Sequence, residues 1–259
     1  MNALLAPTSL PERFWRAALR WAIAWWRIVD LGAVVLVLLL SPSSWSRAAR
    51  SRMARQIVAD TLPILLGFTV LAALISLVLT RIVVVTAQSY GLTRYALEMV
   101  VRVLVLELIP LTAALFVAMR TTIPGGAQLA QVRERGGLAG VDFVRLEVLP
   151  RVVAGVYACI TLAALSCAVA LVMAYLGVYG ANLAGLGGYT RVFGQIFTPQ
   201  ITLVFALKTA FFSLAVALIP MASGLYARER SDAGRSGGLA RMFAVVLLIE
   251  VLSLMGNYY

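Results

Sequence analysis

Five apolar segments, each long enough to cross a lipid bilayer, set the main constraint on how this chain can fold. They cover residues 61–80, 96–119, 148–176, 200–226 and 239–256. A helix needs about 20 apolar residues to cross the hydrocarbon core, and inside that core every backbone polar group must find its partner within the protein. The composition agrees, because 62% of the residues are hydrophobic and only 13% are charged. The sequence therefore predicts an all-α, polytopic membrane protein.

Residues 13–27 predict a helix that lies in the plane of the membrane surface. At 100° per residue, aromatic side chains fall on one face and arginines on the other. The aromatic residues are Phe14, Trp21 and Trp25, and the arginines are Arg13, Arg16 and Arg20. A basic face opposite an aromatic face is typical of an interfacial helix. The alternative is that these residues form the start of a spanning helix.

The next apolar run, residues 31–40, is too short to cross the membrane on its own. To span, it would have to recruit residues 21–26 and carry Arg27 and Asp30 into the bilayer. We therefore expect a re-entrant or elbow-like helix that is followed by five spanning helices. On this interpretation residues 1–59 form an N-terminal segment with interfacial and elbow helices, and residues 60–259 form the membrane domain.

Arginine is distributed unevenly between the two sides of the predicted spans. If residues 1–59 are inside, the inside segments carry sixteen arginines and the outside segments carry three. Cytoplasmic loops of membrane proteins carry such an excess, so we expect a cytoplasmic N-terminus. Basic loops beside anionic lipid also explain the net charge of +11 better than a nucleic-acid partner does.

Four charged residues stand out inside the apolar segments: Arg102, Glu107, Lys208 and Glu250. A charge at the bilayer centre costs roughly 2.5–3.5 kcal/mol on insertion scales, so each should meet a counter-charge, face the bundle or line water. Arg102 and Glu107 are about 140° apart around one helix, so each is expected to find its partner on another helix. For Arg102 the alternative is a position near the outer membrane surface, where its long side chain reaches water. Lys208 is the natural partner of Glu107 or Glu250. The four residues predict an intramembrane charge network that either clamps helices together or lines a polar path.

The sequence offers no set of residues for catalysis or for metal binding. Histidine is absent, and no cluster of metal ligands or pair of nucleophile and base is present. The phosphate-binding motif G-x-x-x-x-G-K-[ST] is absent as well. We therefore expect no catalytic residues, no metal and no cofactor in this chain, and no ATP hydrolysis by the chain itself.

Three motifs lie in or beside the apolar segments. The first is E-x-x-P-L-x-x-A-L at residues 107–115, the second is GVDFVRLEVLPRV at residues 140–152, and the third is the lysine-containing segment 207–228. Together they resemble the MlaE-type permeases of MCE (Mla-like) lipid transport systems, over roughly residues 50–259. The chain departs from the family pattern at Leu106, where an arginine is usual, and at Phe143, where a proline is usual.

The resemblance implies a homodimeric permease of an ABC-type transporter in the bacterial inner membrane. The implied partners are a cytoplasmic ABC ATPase that uses ATP, a periplasmic MCE-domain protein and in some systems a STAS-domain protein. The implied cargo is phospholipid or a related lipid. Residues 125–142 would then couple the permease to the ATPase, and their polar members are Gln128, Gln131, Arg133, Glu134, Arg135 and Asp142.

Two other functions are compatible with the residues themselves. One is an ion-coupled secondary transporter that uses Glu107, Lys208 and Glu250 and needs no ATPase. The other is a membrane scaffold that transports nothing. The polar connector between the second and third spans is likewise open to two interpretations, a short helix that meets a motor subunit or a solvated loop.

Overall fold

The structure is a computed structural model that describes residues 10–136, 140–226 and 232–258. Within these ranges all the regular elements are helices. Six helical stretches there are long and apolar enough to cross a membrane, judged by length and composition. The prediction of an all-α, polytopic membrane protein is therefore confirmed.

Ten α-helices follow one another along the described chain. The first five are α1 (Leu10–Leu40), α2 (Arg47–Ser89), α3 (Thr93–Val100), α4 (Ile109–Val117) and α5 (Ile123–Glu134). The others are α6 (Gly140–Phe143), α7 (Leu149–Tyr179), α8 (Leu186–Ile196), α9 (Pro199–Leu225) and α10 (Asp232–Tyr258). Short 3-10 turns at Pro42–Trp45 and Leu183–Gly185 precede α2 and α8. Wider π turns at Val101–Leu108, Ala118–Thr122 and Val144–Val148 join α3 to α4, α4 to α5 and α6 to α7.

Each of the five predicted spans lies within one of these helical stretches. Three of the six candidate spans have 40 to 43 residues and one has 27, because these helices extend beyond the apolar segments. The sixth candidate is Trp21–Leu40, the C-terminal part of α1. Length and composition alone do not place it across a bilayer, so the count of five spans stays a prediction.

The structure joins the two helices expected at the N-terminus into one. No proline or glycine interrupts residues 13–31, and α1 continues to Leu40, where Ser41 and Pro42 follow. Arg27 and Asp30, the charges that a continuous helix must accommodate, both contact Tyr226. The Tyr226 hydroxyl donates to Asp30 over 3.3 Å, and the Arg27 guanidinium carbon lies 5.2 Å from the centroid of the Tyr226 ring.

α1 packs across one end of the helix bundle. Leu31, Val35 and Leu38 are buried in a single cluster with residues from the end of α5, the start of α7 and the end of α9. These residues are Leu129, Leu149, Val152, Met221, Ala222 and Leu225. The arginine distribution predicts that this end of the bundle faces the cytoplasm. Such packing is what an elbow at the membrane surface requires, and the interfacial position of α1 stays a prediction.

Two of the six residues predicted to face the membrane interface have side chains in the described part of the chain. The rings of Trp21 and Trp25 meet edge to face with centroids 5.8 Å apart. Trp21 is exposed and Trp25 is half-buried. The side chains of the other four, Arg13, Phe14, Arg16 and Arg20, lie outside the described part.

α7 occupies the centre of the bundle, where it packs along α2 and against α9. Its buried face consists largely of small residues, which allow neighbouring backbones to approach closely. They include Ala154, Gly155, Ala158, Ala163, Ala170, Ala174 and Gly177. A Cβ atom at Gly177 would lie only 2.6 Å from Cγ2 of Thr80 on α2. The small residues of α7 therefore allow α2 and α9 to approach it closely.

Candidate functional site

A buried cluster of charged side chains joins three of the membrane helices. Lys208 on α9 is only 2% exposed, and Glu107 in the π turn before α4 is 8% exposed. The Lys208 ammonium forms an ion pair with the Glu107 carboxylate, and its Nζ lies 2.8 Å from Oε2 of Glu250 on α10. The structure thus brings together three of the four charges that the sequence analysis places in the membrane. We call Glu107, Lys208 and Glu250 the charge cluster.

The backbone around Glu107 provides Lys208 with a further acceptor. Pro110 has no N–H, so it cannot donate to the carbonyl of Leu106 four residues earlier. The Lys208 Nζ lies 3.4 Å from that carbonyl oxygen and donates to it. It also lies 5.7 Å from the centroid of the Phe212 ring on its own helix. The Glu-x-x-Pro spacing therefore places beside the lysine a carboxylate and a carbonyl to which Pro110 cannot donate.

The charge cluster contains two carboxyl groups and one ammonium group. With all three ionised its net charge is −1, and an unbalanced buried charge is costly. Glu107 and Glu250 both contact the Lys208 ammonium, so their carboxyl groups lie close to each other. Two carboxyls can share a hydrogen bond only when one of them carries a proton. The arrangement can therefore fasten three helices together, and it has the groups needed to hold one proton.

Arg102 lies outside the charge cluster. Its Nε is 3.0 Å from Oε1 of Glu98, one turn earlier on the same helical stretch. The two side chains are 31% and 41% exposed. The expectation that Arg102 pairs with another helix is therefore wrong, because an acid four residues away supplies a local partner. Arg102 is a half-exposed pair member and not part of the buried network.

α5 forms a close backbone contact with the end of α9. A Cβ atom on Gly224 would collide with the backbone of Gly126, and one on Gly126 would collide with the carbonyl of Pro220. Leu129 is fully buried in the same interface. Arg133 donates from its Nη1 to the carbonyl oxygen of Leu225, one of the unpaired carbonyls at the C-terminal end of α9. The predicted short helix is therefore present and is fixed to α9.

The polar residues predicted to couple the chain to an ATPase lie mainly on the exposed side of this region. Those with exposed side chains are Gln128, Gln131, Arg133, Glu134, Arg135 and Asp142. Arg133 differs from the others because its guanidinium already contacts α9. The buried and exposed sides of α5 therefore divide into a small, apolar contact with the permease and a polar surface that faces outward.

A polar cavity of about 230 Å³ lies between α2, α5 and the start of α7. Its polar lining consists of Gln56, Asp60, Arg120, Thr121, Thr122, Gln128 and Arg151. These residues are not recognisable as a group in the sequence, because they come from three separate segments. One signal was available: each of the three charged members stands at the same end of a predicted span. Among the described residues, no group of three or more metal-ligating side chains occurs, either in this cavity or outside it.

The comparison with protein families gives one match. A family model described as Permease MlaE matches residues 52–256, which is most of the chain. The matched range begins inside α2, so α1 precedes it, and it contains the charge cluster, the polar cavity and the contact between α5 and α9. The search of curated proteins finds no match.

Proposed function

The chain belongs to the MlaE permease family, and from this premise we propose that it is the membrane-spanning subunit of an ABC-type transporter for phospholipid or a related lipid. The observation that carries the proposal is the family match over residues 52–256. In the proposed transporter two copies of the chain enclose the lipid within the bacterial inner membrane, with their N-termini in the cytoplasm. An ABC ATPase binds on the cytoplasmic side, a periplasmic MCE-domain protein exchanges lipid with the dimer, and a STAS-domain protein is a further candidate partner.

The contact between α5 and α9 supports a route from the ATPase to the membrane. The exposed polar side of α5 would meet the ATPase, while Gly126 lies directly against Gly224 with no side chain between the two backbones. A displacement of α5 would therefore move the end of α9 directly, because no flexible side chain lies between the two backbones. Lys208 lies on the same helix, about 25 Å from Leu225 at a rise of 1.5 Å per residue. Motor binding at one end of α9 would thus act on the charge cluster further along it.

The charge cluster supports a role in holding the alternate states of the transporter. ATP binding can move lipid only if the lipid binds differently to two conformations of the permease. The cluster ties α9 to α10 and to the segment before α4. A movement of α9 must either carry these neighbours along or separate the ion pairs. Both possibilities would change the space between the helices, where the lipid would be held.

The excess carboxyl in the charge cluster favours one alternative, an ion-coupled secondary transporter. In that case the cluster would take up and release a proton during each cycle, and no ATPase would be needed. A transmembrane pH gradient would then drive transport, and ATP on the cytoplasmic side would have no effect.

Native mass spectrometry of the gently purified protein is the first test, with co-purifying proteins and lipids identified. We expect two copies of the chain together with an ABC ATPase, an MCE-domain protein and phospholipid. Reconstituted in liposomes, this complex should transfer lipid when ATP is supplied and stop when the ATPase is inactivated. Transfer that follows an imposed pH gradient without ATP would contradict the proposal and support the secondary transporter.

A further inference from the structure

The polar cavity lies at the level of the membrane where lipid headgroups are found. Asp60 immediately precedes the predicted span 61–80, Arg120 immediately follows the span 96–119, and Arg151 lies near the start of the span that begins at residue 148. Because successive spans run in opposite directions, these three positions share one end of the bundle. The arginine distribution assigns that end to the cytoplasm. The cavity therefore opens beside the headgroups of the cytoplasmic leaflet.

The cavity has a cationic side chain and an anionic side chain without ionic partners. Arg120 is exposed and forms no ion pair with any described residue. Asp60 is half-buried, and the described chain offers its carboxylate two hydrogen bonds, of 3.0 and 3.1 Å, from Nε2 of Gln56 but no ion pair. Arg151 forms its ion pair with Glu147 at 2.6 Å, and its positive charge also acts on Asp60 from across the cavity without forming an ion pair with it. One positive and one negative group are thus available to a ligand.

We propose that this cavity binds the headgroup of a zwitterionic phospholipid, with Arg120 on the phosphate and Asp60 on the ammonium. An arginine is well suited to a phosphate, and a carboxylate is the natural partner of an ammonium. A cavity of about 230 Å³ is smaller than the roughly 300–1,000 Å³ of a site that encloses a drug-sized molecule, so it suits a headgroup whose acyl chains stay outside. The proposal rests on the proposed function, since it presumes that phospholipid is what the chain handles.

The position of Gln128 connects this cavity to the motor-facing helix. Gln128 lies on α5 and lines the cavity together with Arg120 and Asp60. A headgroup bound there contacts the same helix that is packed against the end of α9. Binding of lipid and docking of an ATPase would therefore act on one element from two sides, so each would alter the affinity of the other.

The test compares lipid retention by the full-length protein in nanodiscs that contain equal amounts of phosphatidylethanolamine and phosphatidylglycerol. Native mass spectrometry counts the lipids that stay bound. The unmodified protein should retain phosphatidylethanolamine in preference. Arg120→Gln should lower the retention of both lipids about tenfold, the effect of losing one charged hydrogen bond. Asp60→Asn should abolish the preference but keep phosphatidylglycerol, because only the ammonium loses its partner.

Arg55→Gln is the matched control, since it removes an exposed arginine from the same end of α2 but outside the cavity lining. It should behave as the unmodified protein does. An equal effect of Arg55→Gln and Arg120→Gln would overturn the proposal in favour of general surface charge. Displacement of the lipid by excess inorganic phosphate alone would also overturn it, in favour of a free-anion site.

The same variants, assayed also for ATP-driven lipid transfer as complexes in liposomes, separate a failure of this inference from a failure of the proposed function. If folded protein transfers lipid with ATP but both cavity variants keep the lipid preference, the cavity assignment is wrong and the permease function stands. If no phospholipid is retained or transferred by any variant, both are wrong. Thermal unfolding of each variant, measured in parallel, shows whether a loss of lipid reflects the site or a loss of the fold.

Discussion

Lys208 is the single cation between two carboxyl groups of the charge cluster. It is nearly fully buried, and its ammonium contacts carboxylates from two different helices and a backbone carbonyl from one of them. A lysine in such a place stabilises the bundle only while its partners are present, because burial has removed the water that would otherwise solvate it. The same holds in reverse for Glu107 and Glu250.

Replacing Lys208 with alanine should leave the two carboxyl groups of the cluster without a cation. We expect Lys208→Ala to destabilise the protein by about 3–5 kcal/mol or to prevent its accumulation in the membrane. Lys208→Arg should be milder, since it keeps the charge. Thermal unfolding in detergent measures both, with Arg191→Ala on the exposed outer segment as the control for loss of a charge. Full stability and transport in Lys208→Ala would contradict a role for this charge.

Removing one carboxyl group from the cluster should be far less harmful than removing both. Glu107→Gln or Glu250→Gln leaves one acid opposite Lys208, so each single variant should lose no more than about 1 kcal/mol. The double variant leaves a buried ammonium without any carboxylate and should lose clearly more than the sum of the two. A double-mutant cycle of unfolding free energies gives this coupling directly. Additive effects would indicate that the two acids do not share the lysine.

At the scale of the helix, α5 illustrates how glycine positions one element against another. Its contact with α9 depends on Gly126 and Gly224, whose backbones approach too closely to leave room for a Cβ atom. The contact is completed by Leu129 and by the hydrogen bond from Arg133 to Leu225. Close packing therefore positions α5 more than charge does. A methyl group at the contact is enough to disturb this packing.

Gly224→Ala should push α5 away from the end of α9. We expect a loss of about 1–3 kcal/mol from overpacking, together with weaker stimulation of a partner ATPase by lipid. Gly67→Ala is the matched control, because a Cβ atom there meets nothing within 4 Å and alanine favours the helix. Both variants are compared by thermal unfolding and by ATPase activity of the reconstituted complex. Equal activity of the two would show that the close contact is not needed for coupling.

The helices that the sequence predicts correctly are those whose signal is local. A run of about 20 apolar residues is enough to identify α7, α9 and α10 as candidate spans. The continuity of α1 could not be predicted in this way, since Arg27 and Asp30 are accommodated by Tyr226, nearly two hundred residues further along the chain. The partner of Arg102, in contrast, is local. Glu98 lies just one turn away, but outside the motif that contains Glu107.

The candidate sites divide along the same line between local and distant signals. The members of the charge cluster are conspicuous in sequence because each interrupts an apolar segment. The polar cavity is not conspicuous, since Asp60, Arg120 and Arg151 stand at the ends of spans, where charged residues are common. Only the antiparallel packing of three helices shows that they line one space.

The topology of the whole molecule depends on which side of the membrane holds the start of α1. The packing of Leu31, Val35 and Leu38 against the ends of other helices favours a helix that stays on the cytoplasmic surface. Its length and composition would also permit a crossing. The two arrangements place the N-terminal part of α1 on opposite sides of the bilayer.

Labelling of an introduced cysteine by a membrane-impermeant thiol reagent distinguishes these arrangements, in a background where the native Cys159 and Cys167 are replaced by serine. The variants are Ala18→Cys in α1, Arg50→Cys at the start of α2 and Ala184→Cys in the segment between α7 and α8, all at exposed positions. In intact spheroplasts we expect labelling of Ala184→Cys alone, with the other two labelled only after the membrane is permeabilised. Labelling of Ala18→Cys in intact spheroplasts would show that α1 crosses the bilayer.

The backbone contact between Gly126 and Gly224 has a consequence for how such a chain can diverge. Because the two backbones meet directly and Leu129 and Arg133 complete the contact, the fit does not depend on the other residues that cover the outward side of α5. That outer surface can exchange one set of polar residues for another while the seating of the helix on α9 is preserved. A gene duplicate could therefore acquire a new motor partner through substitutions on one helical face, with the membrane part of the protein left unchanged.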